Sequence, residues 1–282
     1  MKLPFADKLQ CPACGLPVRH DLSASMPWTC DSQHHFSETN GVPVMRTITE
    51  QAPLLPIGGD RFFDAQSVLA KEGIAASIRQ LIGTNYVPYP APPTRFIPSG
   101  ARILNIGSGM CPPLTDQTVN LDCFLFPTVH IVADSQHIPF QDETFDAVVM
   151  EFCLEHMPAP WKTCQEACRV LRKGGVMYAS YPFIHTAHAF PHDYFRFTPD
   201  GMNELMCGMR NTETGVLSGP ACRWLGAIAD FVSCLIPSEK AKFIARAMVL
   251  GVCFPIRYLD IFLNRHERAW QHAVTLYSVY QK

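Results

Sequence analysis

The stretch "ILNIGSGMCPP", residues 103–113, decides the fold of this chain. Its first four residues predict a buried strand, and Gly107 and Gly109 follow that strand in a tight turn. Pro112 and Pro113 then stand where a dinucleotide-binding loop would begin a long helix. A glycine turn at the end of a strand with so little helix behind it predicts a binding loop for a ligand without a pyrophosphate.

Strands and helical segments alternate after this turn. "APWKTCQEACRVLRKGG" (159–175) predicts a helix with Pro160 near its start and Gly174-Gly175 at its end. Short apolar runs predict strands at 101–106, 118–122, 129–134, 145–152, 176–183 and 272–280. This alternation is typical of an α/β fold, in which a parallel sheet is covered by helices on both faces.

Carboxylates end the second and third of these strands. In an open α/β sheet, ligands bind outside the carboxyl ends of the strands. Asp122 is placed to accept hydrogen bonds from both hydroxyls of a ribose, and Asp134 to accept one from an adenine amino group. With the glycine turn, these two side chains predict an adenosine site.

Two adenosine cofactors compete for this site. A dinucleotide needs G-x-G-x-x-G, in which the third glycine packs the helix that receives the pyrophosphate. Here the third position is Pro112, and the interval before strand 118–122 is too short for a long helix. S-adenosylmethionine has no pyrophosphate, so the loop favours it.

A run of short motifs follows in a fixed order. They are Asp134, Ile138-Pro139-Phe140, Phe145-Asp146, Leu154-Glu155-His156 and Arg169-Val170-Leu171-Arg172-Lys173-Gly174-Gly175. In this order and spacing, residues 101–205 resemble the class I S-adenosylmethionine-dependent methyltransferases, and most of all their UbiE-like branch (methyltransferase type 11). The resemblance implies a Rossmann-like sheet with helices on both faces, and methyl transfer from S-adenosylmethionine.

The resemblance also implies which residues hold the cofactor. Gly107 and Gly109 would line its methionine part, Asp122 its ribose, Asp134 and Ser135 its adenine, and Glu151 would close the pocket. Asn105 stands where the family usually has an acidic residue near the methionine amine. The cofactor-binding residues expected from the family are therefore Asn105, Gly107, Gly109, Asp122, Asp134, Ser135 and Glu151.

Polar side chains crowd the segment after the fifth strand, "PFIHTAHAFPHDYFRFTPDGMNELM". A hydroxyl acceptor benefits from a general base, most often a histidine, which makes His188 or His192 the candidate base. We include Asp193 and Arg196 in the candidate catalytic set, although they could simply form an ion pair that fixes the loop. The three histidines of this segment could instead bind a metal, and His156 is more typical of a structural hydrogen-bonding residue than of a base.

The N-terminal segment carries a metal-binding pattern. Cys11-x2-Cys14 is one pair of ligands, and Cys30-x3-His34 is a second. Two such pairs close a tetrahedral zinc site with no open position, so we expect a structural zinc ion. His35 is the rival of His34 for the fourth place. The segment also resembles the zinc domain of the bacterial 23S ribosomal RNA guanine-N1 methyltransferases, which implies the same four ligands.

These patterns divide the chain into five parts. We expect a zinc ribbon over 1–50, a helix (61–82) and a proline-rich linker over 51–98, a methyltransferase core over 99–220, a helical cap over 221–270 and a last core strand over 271–282. The cap is apolar with interspersed Lys and Arg. It predicts a pair of helices over the acceptor site, or a surface for a lipid-linked acceptor through peripheral membrane contact.

Composition narrows the function. The 282 residues are 48% hydrophobic with a formal net charge of -2, so no global basic field calls for nucleic acid. No signal peptide is seen, and the twelve cysteines suggest reduced thiols, so we expect a cytoplasmic protein. The expected reaction is methylation of a small molecule or of a saccharide or lipid intermediate. The alternatives are a methyltransferase for ribosomal or transfer RNA bases and a non-catalytic S-adenosylmethionine-binding protein.

Overall fold

The computed structural model describes residues 3–21, 23–46, 91–188, 192–206 and 208–282. The helix predicted over 61–82 lies outside these ranges, as does the first part of the proline-rich linker. The rest of that linker forms a single 3-10 turn at Pro93–Arg95. Tyr178 donates a hydrogen bond of 2.9 Å to the carbonyl oxygen of Ala91, which ties the linker to the sheet.

A mixed sheet of eleven strands runs through the described chain, in the order β1-β2-β3-β4-β7-β6-β5-β8-β9-β11-β10. Its parallel centre consists of β5 (Ile103–Ile106), β6 (Thr118–Asp122), β7 (Ile131–Ala133), β8 (Phe145–Glu151) and the start of β9 (Leu171–Pro182). Every residue of β5, β6 and β7 is buried, as expected when helices and loops cover both faces. The predicted α/β fold is confirmed.

The strands at the C-terminal edge of the sheet are antiparallel. β11 (Thr275–Gln281) lies antiparallel between β9 and β10 (Arg210–Ser218). The chain order is reversed at β5, which has β6 on one side and β8 on the other. Ligands of open α/β sheets bind at such a switch point, outside the carboxyl ends of the strands.

The N-terminal module joins the other edge. It consists of β1 (Val18–His20), β2 (Trp28–Cys30), β3 (His35–Thr39) and β4 (Val42–Met45). β4 pairs in parallel with β7, so the module continues the central sheet. Its buried side chains, including Leu9 and Phe36, share one apolar core with Phe140 and Phe145.

The helix predicted over 159–175 is shorter than expected. α1 covers Pro160–Val170, and β9 begins at the next residue. The ammonium group of Lys282 donates to the carbonyl oxygens of Cys168 (2.7 Å) and Leu171 (2.6 Å). Lys282, the residue after β11, therefore occupies the carbonyl groups at the end of the helix. Gly174 and Gly175 lie within β9, where Gly174 has a φ of +73°.

Helices follow β9, and those from residue 220 onward lie in the region that we expect to form the cap. α2 (Pro199–Leu205) follows the acceptor segment, and α3 (Pro220–Cys234) packs on α4 (Glu239–Cys253). α5 (Asp260–Leu263) closes the cap, and its first residue accepts hydrogen bonds from the main-chain nitrogens of Ala221 (2.8 Å) and Cys222 (3.0 Å). None of the described helices is long and apolar enough to cross a membrane.

Candidate functional site

A cavity of about 420 Å³ opens at the carboxyl ends of the central strands. It lies where the sequence predicts the ligand. Five of the seven residues proposed for the cofactor line it: Gly107, Gly109, Asp122, Asp134 and Ser135. The strand-end pattern therefore picked out residues that lie together in one cavity, and their roles toward the cofactor stay predictions.

Gly107 is required by its surroundings. Its φ is +66°, and a Cβ atom built there would lie 2.5 Å from the Cβ of Cys153. Gly109 also has a positive φ, of +54°, but a Cβ there would meet no atom within 4 Å. The first glycine thus lets the β5 and β8 ends approach each other, and the second mainly serves the turn.

The carboxylate of Asp122 stabilises the glycine turn by hydrogen bonds to main-chain nitrogens. It accepts from the main-chain nitrogens of Gly109 (2.8 Å) and Phe124 (2.9 Å). Burial raises the pKa of Asp122, and only 6% of the residue is exposed. A carboxylate has about four acceptor positions, so oxygens already bonded to two N–H groups still accept from hydroxyls of a ligand.

Asp134 and Ser135 form the next part of the wall. Asp134 accepts a hydrogen bond of 2.9 Å from the main-chain nitrogen of Gln136, which fixes the turn after β7. The Ser135 hydroxyl lies 2.9 Å from the hydroxyl of Thr163, so α1 holds it in place. One carboxylate oxygen of Asp134 is therefore committed to the turn, and the Ser135 hydroxyl to α1.

Asn105 and Glu151, the other two predicted cofactor residues, do not line the cavity. Asn105 donates to the side-chain oxygen of Asn120 (3.1 Å), and Asn120 donates to the carbonyl oxygens of Cys111 and Thr128 (both 3.0 Å). Asn105 thus stabilises the glycine loop indirectly, through Asn120 and its hydrogen bond to Cys111. Glu151 ends β8, where burial raises its pKa. Their roles toward the cofactor stay predictions.

Sequence reasoning missed the apolar wall. Four side chains supply it: Phe124, Phe126, Phe152 and Met157. Apolar residues beside a strand are usually core, so nothing in their pattern marked them as ligand contacts. Phe152 has a φ of +49°, a conformation rare for a bulky residue and one that the sequence gives no sign of.

The acceptor segment meets the cavity at one histidine. His188 lines the cavity, whereas the His192 side chain is exposed and does not. The main-chain nitrogen of His188 donates to Asp193 (2.8 Å), and Arg196 holds both oxygens of that carboxylate, at 2.5 and 2.6 Å. The Arg196 hydrogen bonds hold the pKa of Asp193 well below its usual range. The predicted ion pair is present, and it fixes the loop that presents His188.

A buried carboxylate lies behind His188. Glu155, in the 3-10 turn Leu154–His156, is completely buried, and burial raises its pKa to about 7. Its Oε1 lies 3.7 Å from Nε2 of both His156 and His188. His156, expected to be structural, also lines the cavity. The sequence placed Glu155 and His156 in a family motif without showing that His188 would join them.

Part of this site lies in a segment that matches a known protein family. Residues 114–179, which contain Asp122, Asp134 and Glu155, match the family described as methyltransferase domain. The chain contains a methyltransferase domain. Its sheet has the Rossmann-like fold of class I methyltransferases, and the family implies S-adenosylmethionine as the methyl donor. No curated protein matches this chain in sequence.

Solved methyltransferases resemble this one weakly. A Thermotoga maritima S-adenosylmethionine-dependent methyltransferase is 11% identical, with 79% of this chain and 98% of that chain covered and a TM-score of 0.42. A Bacillus halodurans methyltransferase is 16% identical (66% and 94% covered, TM-score 0.38). Haemonchus contortus phosphoethanolamine N-methyltransferase 2 is 15% identical (78% and 57% covered, TM-score 0.42). At TM-scores below 0.5, these likenesses carry no weight in the assignment.

The cavity of the methyltransferase fits S-adenosylmethionine. Gly107 and Cys153 both line the cavity, and the absence of a Cβ at Gly107 lets these two parts of its wall lie close together. Asp122 brings a buried carboxylate to the wall, and the apolar wall at Phe124 and Phe126 suits a nucleobase. No phosphate-binding helix begins in the glycine loop, because α1 is the first helix of the described core.

The predicted zinc ligands come together in the N-terminal module. The ligand atoms of Cys11, Cys14, Cys30 and His34 all lie within 4.8 Å of one another. Nδ1 of His34 is 3.4 Å from the sulfur atoms of both Cys11 and Cys30. Three thiols and one imidazole in this arrangement fit tetrahedral zinc. The rival His35 is exposed at the start of β3 and is not part of the group.

Proposed function

We propose that this enzyme transfers the methyl group of S-adenosylmethionine to a small molecule or to a saccharide or lipid intermediate. One observation carries the proposal: a single cavity has the glycine loop and Asp122 in one wall and His188 in another. Methyl transfer from a sulfonium is an in-line displacement, so donor and acceptor must share one space. Holding the two in line supplies much of the rate.

The residues divide between the two partners of the reaction. Gly107 and Gly109 would take the methionine part of the cofactor, Asp122 its ribose, and Asp134 the adenine beside Phe124. When bound, S-adenosylmethionine supplies the electrophilic methyl group. The protein contributes mainly position, and the apolar wall lines the space that the reacting groups would share.

His188 is the residue that we place against the acceptor. Its imidazole is the candidate base for a hydroxyl, because histidine is the side chain that most often takes this role and His188 lines the cavity. Asp193 and Arg196 act as positioning residues, because they hold the main chain of His188. His192 ranks second, since its side chain does not line the cavity, although its carbonyl oxygen lies 2.5 Å from Nδ1 of His156.

The cap favours an acceptor carried at a membrane surface. Trp224, Ile228 and Phe231 are spaced at helical intervals along α3, Leu235 continues this spacing directly after the helix, and all four are exposed. Ile244, Met248 and Val252 form a second exposed stripe along α4. Soluble monomers rarely expose apolar surface of this extent without a partner. Both stripes therefore suit insertion into a lipid interface.

Charge and position support the same conclusion. Residues 221–270 contain seven basic and four acidic residues, in a chain with 23 basic and 25 acidic ones overall. This local excess of cations complements anionic lipid. Asp230 of α3 accepts a hydrogen bond of 3.0 Å from Thr186, so the cap adjoins the segment that carries His188. A lipid-linked acceptor on the cap would thus be near the cavity.

RNA methylation is the weaker alternative. Residues 1–50 carry four basic and five acidic residues, whereas a module that grips RNA neutralises phosphates with Lys and Arg. We assign this module a structural zinc ion and a folding role, because four protein ligands leave no open position for chemistry. We also place the enzyme in the reducing cytoplasm, which keeps the thiolate ligands available.

Methyl transfer can be followed without knowing the acceptor. The full-length enzyme is incubated with S-adenosylmethionine labelled in its methyl group and with a fractionated cell extract. We expect label in the lipid or small-molecule fraction, and much less with the Asp122→Ala variant. Label confined to RNA would replace the proposed acceptor class. No label in any fraction would contradict the activity.

A further inference from the structure

Glu155, His156 and His188 form a second candidate metal site, distinct from the zinc ribbon. One ligand atom of each lies within 4.8 Å of the other two. Nε2 of His156 and Nε2 of His188 are each 3.7 Å from the same oxygen of Glu155. Two ligands at about 2.1 Å from a metal lie about 3–3.5 Å apart, so small side-chain shifts would bring all three into coordination.

Hydrogen bonds turn both imidazoles in the right direction. Nδ1 of His156 lies 2.5 Å from the carbonyl oxygen of His192, and Nδ1 of His188 lies 3.3 Å from that of Thr186. Nδ1 of His188 also lies 3.5 Å from Nη2 of Arg196 and 3.7 Å from Oδ2 of Asp193, so two of its three neighbours are acceptors. A nitrogen that faces a carbonyl oxygen carries the proton. The Nε2 atom of each ring is then left with a lone pair directed toward Glu155. Metal-binding histidines are usually oriented in this way by a second hydrogen bond.

The carboxylate itself lacks a partner. Both oxygens of Glu155 are buried, and neither has a hydrogen bond within the part of the chain that the structure describes. The charge of Arg196 acts on Glu155, but this side chain uses two of its nitrogens to hold Asp193. A carboxylate that is buried without a hydrogen bond is destabilising, unlike one that is hydrogen-bonded or binds a metal. Two imidazole lone pairs converging on it add to the need for a cation.

We propose that Glu155, His156 and His188 bind a divalent transition-metal ion at the acceptor side of the cavity. Two imidazoles and one carboxylate suit Mn²⁺, Fe²⁺, Co²⁺ or Zn²⁺. Three protein ligands leave positions open, and His156 and His188 both face the cavity. The inference rests on the proposed function, and it specifies the acceptor as a hydroxyl-bearing molecule whose oxygen takes an open position on the metal.

The metal changes the role of His188 from base to ligand. A metal-bound hydroxyl releases its proton more readily, and this proton passes to solvent water. The resulting alkoxide oxygen attacks the methyl carbon. The new O–C bond forms as the C–S bond breaks, and the electron pair of that bond stays on sulfur, which leaves neutral S-adenosylhomocysteine. The product is a methyl ether.

Binding of Mn²⁺ by the full-length, zinc-loaded protein tests this site. Loss of the electron paramagnetic resonance signal of free Mn²⁺ measures uptake, and thiolates of the zinc ribbon compete poorly for this ion. We expect about one Mn²⁺ per chain, and at least tenfold weaker binding in Glu155→Gln and in His188→Asn. His185→Ala is the matched control, because His185 belongs to the same segment and not to the group. It should bind as the parent protein does.

The outcomes separate the metal from the methyl transfer. Circular dichroism shows whether Glu155→Gln and His188→Asn keep the fold. One folded variant is enough to compare Mn²⁺ binding with that of the parent protein. The metal proposal is overturned if the parent protein takes up neither Mn²⁺ nor Co²⁺, or if the folded variants bind as well as the parent. It is also overturned if label transfer from S-adenosylmethionine is unchanged in a chelator that strips the Mn²⁺. Metal binding without label transfer to any fraction would instead count against the proposed function alone.

Discussion

A Cβ atom on Gly107 would lie 2.5 Å from the Cβ of Cys153, a separation that real Cβ atoms do not show. Gly107 follows β5, and Cys153 follows β8. The pair therefore sets how closely the two central strand ends approach at the cavity. A side chain at position 107 would displace either this loop or Cys153, and both line the cavity in which we place the methionine part of the cofactor.

Gly107→Ala should therefore weaken binding of S-adenosylhomocysteine at least tenfold, as measured by calorimetry. Gly109→Ala is the matched control. Both glycines have a positive φ, so both variants carry similar backbone strain, but a Cβ at position 109 meets no atom within 4 Å. Equal losses in the two variants would show that backbone strain, and not the contact with Cys153, limits binding.

Asp122→Ala should remove the acceptor of the ribose hydroxyls. Hydrogen bonds to a charged group contribute about 1.5–3 kcal/mol, so affinity for S-adenosylhomocysteine should fall about 10- to 150-fold. Asp116→Ala, which removes an exposed carboxylate from the same β5–β6 connection, is the control. If both variants bind the cofactor like the parent protein, Asp122 serves only to close the glycine turn.

Asp146 gives the "FD" motif a structural role. Its carboxylate accepts from the main-chain nitrogen of Arg102 (2.8 Å) and from Nε of Arg172 (2.8 Å). Burial opposes its ionisation, but the hydrogen bonds from Arg102 outweigh burial and lower the pKa of Asp146. Asp146→Asn should lower the free energy of unfolding by about 1–3 kcal/mol at pH 7.

The pH dependence of this loss follows from the sign of the shift. The unfolded carboxyl keeps its ordinary pKa of about 3.9, so the stabilisation is complete above that value. It is lost as pH falls through the lower pKa of the folded state. Urea unfolding of both proteins between pH 7 and pH 3 should show the difference shrinking below about pH 4. A difference that stays constant would mean that the charge of Asp146 is not its source.

Local patterns predicted the sheet and the position of the cavity. Apolar runs mark β5, β6 and β8, and parallel strands bring Gly107, Asp122 and Asp134 to one edge because their carboxyl ends coincide. The end of α1 was not predictable in this way. It depends on Lys282, which is 111 residues from Leu171, and contacts across that distance leave no trace in a helical pattern.

The group formed by Glu155, His156 and His188 shows the same limit. Glu155 and His156 belong to a recognisable motif, but His188 joins them only through the path of the loop that Asp193 and Arg196 fix. The sequence therefore marked three histidines of one segment as a potential metal site. The structure brings one of them to Glu155 and leaves the His192 side chain exposed.

The exposed stripes of the cap should bind anionic membranes. The full-length protein is expected to float with vesicles that contain phosphatidylglycerol, and less well with phosphatidylcholine alone. The double variant Phe231→Glu, Val252→Glu should lose most of this binding, because it puts charge on both apolar stripes. Trp161→Glu is the control, since Trp161 is an exposed aromatic residue on α1, outside the cap. A stable dimer that the double variant disrupts, with no vesicle binding, would assign the stripes to a second copy of the chain.

The zinc ribbon should also affect the cofactor cavity. Cys11 and Cys30 are buried in the same core as Phe140 and Phe145. The main-chain nitrogen of Gln10 donates to the carbonyl oxygen of Pro139 at 3.1 Å. β4 pairs with β7, which leads directly into Asp134 in the cavity wall. Loss of the metal would therefore loosen one edge of the sheet next to the part of the cavity that we assign to the adenine.

Cys11→Ser tests this coupling. Elemental analysis of the parent protein should find about one zinc ion per chain, and the variant should contain much less. Because the module and the core share apolar contacts, we expect the variant to melt several degrees lower and to bind S-adenosylhomocysteine more weakly, in addition to faster proteolysis of residues 1–50. Cys234→Ser, at an exposed position on α3, should change none of these properties. A parent protein without zinc whose N-terminal module resists proteolysis would refute the metal assignment, and a zinc-depleted variant with unchanged cofactor affinity would refute the coupling.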